Sequence, residues 1–187
     1  MPSLCNMACL KAAIGDRRFG VNDGLEQTLL ILLRPMLETI SIRRATPSER
    51  EVLEALQRRA SLANARDRDA ILAHPDAIEI PIRQLESGQV YVAEHRDAIV
   101  GFATTQPRED GDTDLDALFV EPAMWRQGIG RQLVRHCEDA ARLLGSRTLH
   151  VIGNPHARAF YDASGFKAVG VSETRFGQGI LYQRTLD

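Results

Sequence analysis

Two periodicities divide this chain. Ile129, Leu133, Cys137, Ala140, Ala141 and Leu144 recur at intervals of three and four, which places them on one face of a helix. Gly145 ends that pattern as a left-handed stop residue does. Ahead of it, Val90 to Glu94, Ile99 to Thr105 and Thr113 to Val120 read as three successive strands. The first two are joined at His95-Arg96-Asp97 as a hairpin, and the third follows a turn from Pro107 to Asp112 that contains Gly111. Upstream, Ile40 to Arg44 alternates apolar and polar residues and predicts a first strand. Thr46-Pro47-Ser48-Glu49 then supplies a cap, a proline at the first helical position and a capping box, with Val52, Leu53, Leu56 and Ala60 as the buried stripe. A polar stretch, Asn64 to Asp69, precedes a second helical piece around Ala70 to Ala73, which His74-Pro75-Asp76 breaks; Pro81 to Glu86 reads as a further short turn. Downstream, Thr148 to Ile152 predicts a strand, and Asn154-Pro155 starts a short helix that Gly165 stops. Phe166 to Val171 and Ile180 to Thr185 form a closing pair of strands.

The predicted order is β-α-α-β-β-β-α-β-α-β-β, with hairpin-linked strands and helices between them. That implies an α/β (mixed α+β) domain built on a mixed, mostly antiparallel central sheet flanked by helices. A chain of 187 residues suits one such domain. Residues 1–38 stand apart and are read as an N-terminal extension, disordered or non-native, with Met36 as the natural start and the domain over 39–187. The alternative is one short docked helix carrying Leu25, Leu29 and Leu32 or Leu33. Their longest apolar run, Leu29 to Leu33, is too short to span a bilayer, and Lys11, Arg17 and Arg18 interrupt any signal-peptide core.

Charge narrows the partners. A formal net charge of −2 gives no electrostatic reason to expect nucleic acid or an anionic membrane surface. The Arg66 to Asp69 run reads as a solvated face with local ion pairs. Cys5, Cys9 and Cys137 are too few and too badly spaced for a disulfide framework or a zinc site, and Cys137 falls on the apolar helix face as a buried thiol. No metal is expected, and a reducing, cytoplasmic setting fits.

The candidate chemistry begins where the strand ending at Val120 meets the helix beginning near Ile129. The first turn of a helix presents unpaired N–H groups and the positive end of the dipole. Gly128 and Gly130 let an anion approach the backbone closely, and Arg126 and Arg131 add charge. The loop lacks the Gly-Lys-Ser/Thr ending of a Walker A motif, and Leu133 stands where G-x-G-x-x-G needs its third glycine. A tight turn without a ligand is the plain alternative.

Val120-x-Pro122, then Gly128-x-Gly130, then Asn154, Ala157, Phe160, Tyr161, Gly165 and Phe166 resemble the two-part acetyl-CoA signature of the GNAT superfamily of N-acetyltransferases. The resemblance covers roughly Ile40 to Asp187. It departs from the family at Trp125, where Gln or Arg is usual; Arg126 sits one place later. The resemblance implies acetyl-CoA as co-substrate. Backbone groups of Leu118, Phe119 and Val120 would pair with its pantetheine arm like an added strand. Arg126, Gln127, Gly128, Ile129, Gly130 and Arg131 would hold the pyrophosphate, with Asn154 also reaching the coenzyme, although capping alone explains that residue.

A thioester is already activated, so the enzyme mainly orients an amine and manages protons. By resemblance Tyr161 is the acid for the departing thiolate; its structural alternative is packing beside Phe160. Asp114 and Asp116, two apart on the strand before the glycine loop, leave the same face and are the candidate bases. Their alternative is ordinary strand exposure. His150 is a second choice of base, and Glu121 could bind an amine. His74 reads as a surface or capping residue.

The expected activity is acetyl transfer to a primary amine of a small molecule or peptide by direct attack in a ternary complex. A non-catalytic acyl-CoA sensor on the same fold is the second reading. An edge strand of the C-terminal pair could support a homodimer.

Overall fold

The computed structural model describes residues 39–63, 68–74, 77–174 and 177–187. The reading of residues 1–38, Cys5 and Cys9 included, lies outside them, as do Arg66, Asp67, Pro75 and Asp76.

Among the described residues seven strands form one sheet: β1 (Ser41–Arg44), β2 (Val90–His95), β3 (Ala98–Pro107), β4 (Thr113–Val120), β5 (Thr148–Gly153), β6 (Lys167–Thr174) and β7 (Gly177–Thr185). Their spatial order is β1-β2-β3-β4-β5-β7-β6. Every pairing is antiparallel except β4 with β5. Helices α1 (Arg50–Ala63), α2 (Arg68–Ala73) and α3 (Ile82–Glu86) lie between β1 and β2. Helix α4 (Ile129–Leu143) follows β4, and α5 (Arg158–Ala163) follows β5. The predicted turn at Pro81 to Glu86 is thus a short helix, and the other elements keep their predicted order.

The period-two pattern of the strands feeds two cores. On β2, Val90 and Val92 face a cluster with Leu53, Leu56 and Leu85 from α1 and α3. Tyr91 and Ala93 face the other way, into a cluster with Ile129, Leu133, Val134, Cys137 and Ala141 of α4. Leu53, Leu56 and Leu133 are fully buried, and truncating any one to alanine would cost about 2–5 kcal/mol. Burial raises the Cys137 thiol, so it stays protonated and is no nucleophile.

The predicted helix start at Thr46 forms as a 3-10 turn, Pro47–Glu49, leading into α1. Glu49 accepts from the Thr46 N–H at 2.7 Å and from Arg43 at 2.6 Å. Arg43 also donates to Glu94 at 2.5 Å, which ties the entry of α1 to β1 and β2. No helix among the described residues is long and apolar enough to cross a membrane.

Candidate active site

The parallel pairing of β4 with β5 covers only Thr113 with Leu149 and Asp114 with His150. Beyond that rung the strands part, although β4 stays paired with β3 as far as Val120. The sheet is therefore split on one side of β4, and the split points at the start of α4.

The loop at its mouth turns through left-handed backbone. Arg126 and Gly128 both adopt left-handed backbone, at φ 63° and 83°. Alternation of this kind turns successive N–H groups into one concavity. A Cβ added at Gly128 would meet nothing within 4 Å, so the space over that residue is open. Gly130 is different. A Cβ there would lie 3.2 Å from the Phe160 ring, so its small size also lets α5 pack against the first turn of α4. Arg126 and Arg131 are exposed and make no ion pair with another described residue. Gln127 leans back onto the Ala123 carbonyl at 3.4 Å. Asn154 caps the turn after β5, accepting from the His156 N–H at 3.0 Å.

Of the three residues expected to face the coenzyme arm, Phe119 pairs with Phe102 and packs in the α1-side core. Leu118 and Val120 pack toward α4. Trp125 donates its indole N–H to the Val120 carbonyl at 2.7 Å.

Tyr161 on α5 is buried and held by rings. It stacks on Tyr182 at 4.8 Å, with Phe160 and Phe166 edge-on at 5.3 and 5.6 Å. A Cβ on Gly153, the last residue of β5, would come within 2.4 Å of this ring. Gly153 is thus what lets the phenol lie against the end of β5, beside the split. Burial, with Tyr182 adding to it, pushes the phenol up to about 12, so it remains protonated at neutral pH. The Tyr182 hydroxyl itself is buried without a partner among the described residues.

The acidic residues gather on the opposite face. A β-bulge at Thr104/Thr105 leaves Asp116 out of register, because Thr104 pairs with Ala117 and Thr105 with Leu115. Leu115 packs on the α4 side, while Asp116 accepts from Thr104 at 3.3 Å and from Gln84 of α3 at 3.4 Å. Asp114 accepts from Arg108 at 3.1 Å. Asp114 and Asp116 therefore share a face, as their spacing predicts, but Asp114 already has a cation. Glu121 has one too, since Arg59 of α1 donates to it at 2.9 Å. That removes it as a ready site for an amine.

His150 sits beside Asp114 on the last rung before the split. Its Nε2 lies 3.0 Å from the Asp112 carboxylate, and its Nδ1 lies 3.4 Å from the Gln183 amide. Asp112 also accepts from the N–H groups of Arg147 and Thr148 at 3.0 and 2.9 Å. These bonds, led by the His150 contact, hold the Asp112 carboxyl below its ordinary range. The sequence named His150 but not Asp112, whose partner lies 38 positions away. His74 is exposed at the end of α2. Among the described residues no group of three or more His, Cys, Asp or Glu gathers as a metal site. A separate groove of about 470 Å³ between β1, β2 and the C-terminal half of α4 contains none of the predicted site residues.

The parting of β4 from β5, the open glycine loop before α4 and the buried Tyr161 thus lie in one region of the fold. Comparison with known proteins gives the family. The model of the acetyltransferase (GNAT) family matches residues 56–166, and the chain belongs to that family. It is 34% identical over 136 residues to the peptidyl-lysine N-acetyltransferase YjaB of Salmonella typhimurium, covering 72% of this chain and 88% of that protein. Similar solved structures include the PaiA N-acetyltransferase of Thermoplasma acidophilum in complex with coenzyme A, at TM-score 0.64 and 18% identity, covering 79% of this chain and 99% of the other. Another is YncA of Salmonella typhimurium with its cofactor acetyl-CoA, at TM-score 0.60 and 19% identity, covering 80% and 95%. The protein is an N-acetyltransferase.

Proposed function

We propose that the protein acetylates a primary amine, on a peptide or small molecule, by direct attack within a ternary complex of enzyme, acetyl-CoA and acceptor. The observation that carries this reading is the β4–β5 split, with the buried Tyr161 on one side and the acidic face on the other. Acetyl-CoA, when bound, supplies the activated acyl group. The chain's residues fit such a ligand: Gly128 leaves open space over left-handed backbone, and the N–H groups from Gln127 to Arg131 gather at the start of α4. Arg126 and Arg131 add positive charge beside them. Asn154 holds the loop after β5 in place by capping it.

Tyr161 acts as the acid. Its phenol keeps its proton at neutral pH and donates it to the sulfur that leaves. On the acceptor face Asp116 draws in the ammonium form of the amine and takes its proton, while Asp114, the second candidate, must first give up its pairing with Arg108. His150, oriented by Asp112, is a further acceptor on that face. An alkylammonium with an ordinary pKa of about 10 must lose a proton before it attacks, so this face is required at neutral pH. The name of the YjaB relative favours a lysine side chain in a peptide as acceptor. A reducing cytoplasm, where acetyl-CoA is available, is the fitting compartment.

The test is amine-dependent release of free thiol from acetyl-CoA across lysine peptides and small primary amines, with the product identified by mass. Product carrying one added acetyl group supports the reading. Saturable coenzyme binding with no release for any amine would instead indicate a sensor.

A further inference from the structure

Hydrogen-bond alternation along β4 fixes which way its backbone faces. The Glu121 N–H donates to the Val100 carbonyl at 2.9 Å, so that pair is hydrogen-bonded across β3 and β4. Gly101 and Val120, one step along, are then a non-hydrogen-bonded pair. The N–H and C=O of Val120 therefore point away from β3, into the gap that β5 has left. Leu118, two residues earlier, has the same orientation, whereas Phe119 turns its groups to β3.

A carbonyl that faces that gap is free to accept from a donor other than β3. Trp125 provides one, with its indole N–H 2.7 Å from the Val120 oxygen. The chain reaches this position through the Pro122–Met124 turn, which places Trp125 immediately before the left-handed Arg126 of the phosphate loop. The ring is 44% exposed, and Trp125 belongs to neither of the two core clusters. Its N–H occupies the position where the amide N–H of an added strand would sit.

We propose that Trp125 is a stand-in donor that the pantetheine arm of the coenzyme displaces. This rests on the acetyl-CoA reading and adds to it the residue that must move. In the free protein the indole satisfies the Val120 carbonyl. When the arm enters, one of its amide N–H groups takes that carbonyl and the indole leaves the gap. Exchanging one hydrogen bond for another is nearly neutral, so the latch weakens coenzyme binding only slightly. What it provides is a marker of occupancy, since the indole moves only for a ligand that carries an arm. A ligand that fills only the phosphate loop has no amide to offer and leaves Trp125 in place.

Trp125 is the chain's only tryptophan, so intrinsic fluorescence reports on it alone. The experiment is a fluorescence titration with coenzyme A and, separately, with ADP, each paired with calorimetry on the full chain. Coenzyme A should produce a saturable red shift that tracks its heat. ADP, at concentrations where calorimetry shows it bound, should leave the emission near that of the free protein. Trp125→Phe should bind coenzyme A about threefold more tightly, the size of one net hydrogen bond removed from competition. Coenzyme heat without an emission change would overturn the latch while leaving the acetyl-CoA reading intact. So would an equal shift with ADP, or binding to Trp125→Phe weakened by about tenfold or more, which would make the indole a coenzyme contact. If coenzyme A gave no heat with the wild type, the acetyl-CoA reading would fail and the latch with it.

Discussion

The proposed coenzyme side and the proposed acceptor side of this molecule are built by different means. The coenzyme side is backbone: Leu118 and Val120 facing a gap, then Arg126 and Gly128 in left-handed conformations, then the first turn of α4. All of it lies in one continuous stretch. The acceptor side is made of side chains from separate elements, with Asp112, Asp114 and Asp116 near β4, His150 on β5, Gln183 on β7 and Gln84 on α3. A backbone site tolerates surface change as long as its glycines and turn persist. A side-chain site changes with each residue, which suits the part of an enzyme that chooses the acceptor.

The sharpest way to break this contrast is at Gly153, where the two sides meet. An added methyl would have to displace a ring carbon of Tyr161 that lies 2.4 Å away. Gly153→Ala should therefore lower kcat by about 10²-fold, the scale expected for misplacing a reacting group by about 1 Å. Coenzyme affinity, measured by calorimetry, should stay close to wild type. Parallel loss of both would show that Gly153 serves the coenzyme side instead.

On the acceptor side, His150→Gln retains a hydrogen-bonding group toward Asp112 but cannot take a proton. It should lower kcat/KM by about tenfold or more, with unchanged coenzyme binding and unchanged thermal midpoint. A fall in the midpoint without a change in kcat/KM would make the His150–Asp112 pair a structural tie between β4 and β5. On the coenzyme side, Gly128→Ala forces a Cβ onto backbone at φ 83°. It should weaken coenzyme binding by about three- to tenfold, in line with a left-handed cost of about 1 kcal/mol, while kcat at saturation is maintained.

The strand, glycine loop and helix start of the proposed coenzyme side were legible in the sequence because their determinants are neighbours in the chain. Gly128, Gly130 and the helix period after them predict a strand, loop and helix start with no long-range information. The split beside β4 was not legible, because it depends on where β5 stops pairing. The bulge that sets Asp116 apart depends on register with β3. Asp112 was missed because its spacing carries no motif. Gly153 was missed because its constraint comes from a ring eight positions on, brought back by α5. Gly130 was read as space for a ligand, yet Phe160 takes part of that space. A bulky substitution there would disturb packing as well as binding.

The smallest expected effect lies away from both regions. The hydrogen bond from Arg43, helped by the Thr46 N–H, holds the Glu49 carboxyl down to about 2. A depressed carboxylate stabilises the fold above its unfolded pKa and loses that contribution as pH falls from about 4.5 toward 2. Glu49→Gln should lower stability by about 1 kcal/mol or less at neutral pH, since the pair is partly exposed. The difference from wild type should vanish in acid. A constant difference down to the acid limit would remove the ion pair from the account.

The most direct test of the central claim, that binding and chemistry are divided between the two sides with Tyr161 as the acid, is Tyr161→Phe. Coenzyme affinity and amine-dependent turnover would be measured on the same preparation. The account predicts that affinity stays within about twofold while kcat falls about 10²-fold. Wild-type kcat should also show no alkaline decline through neutral and mildly alkaline pH, because the phenol titrates only near 12. Unchanged turnover in Tyr161→Phe, or affinity and turnover falling together, would contradict it.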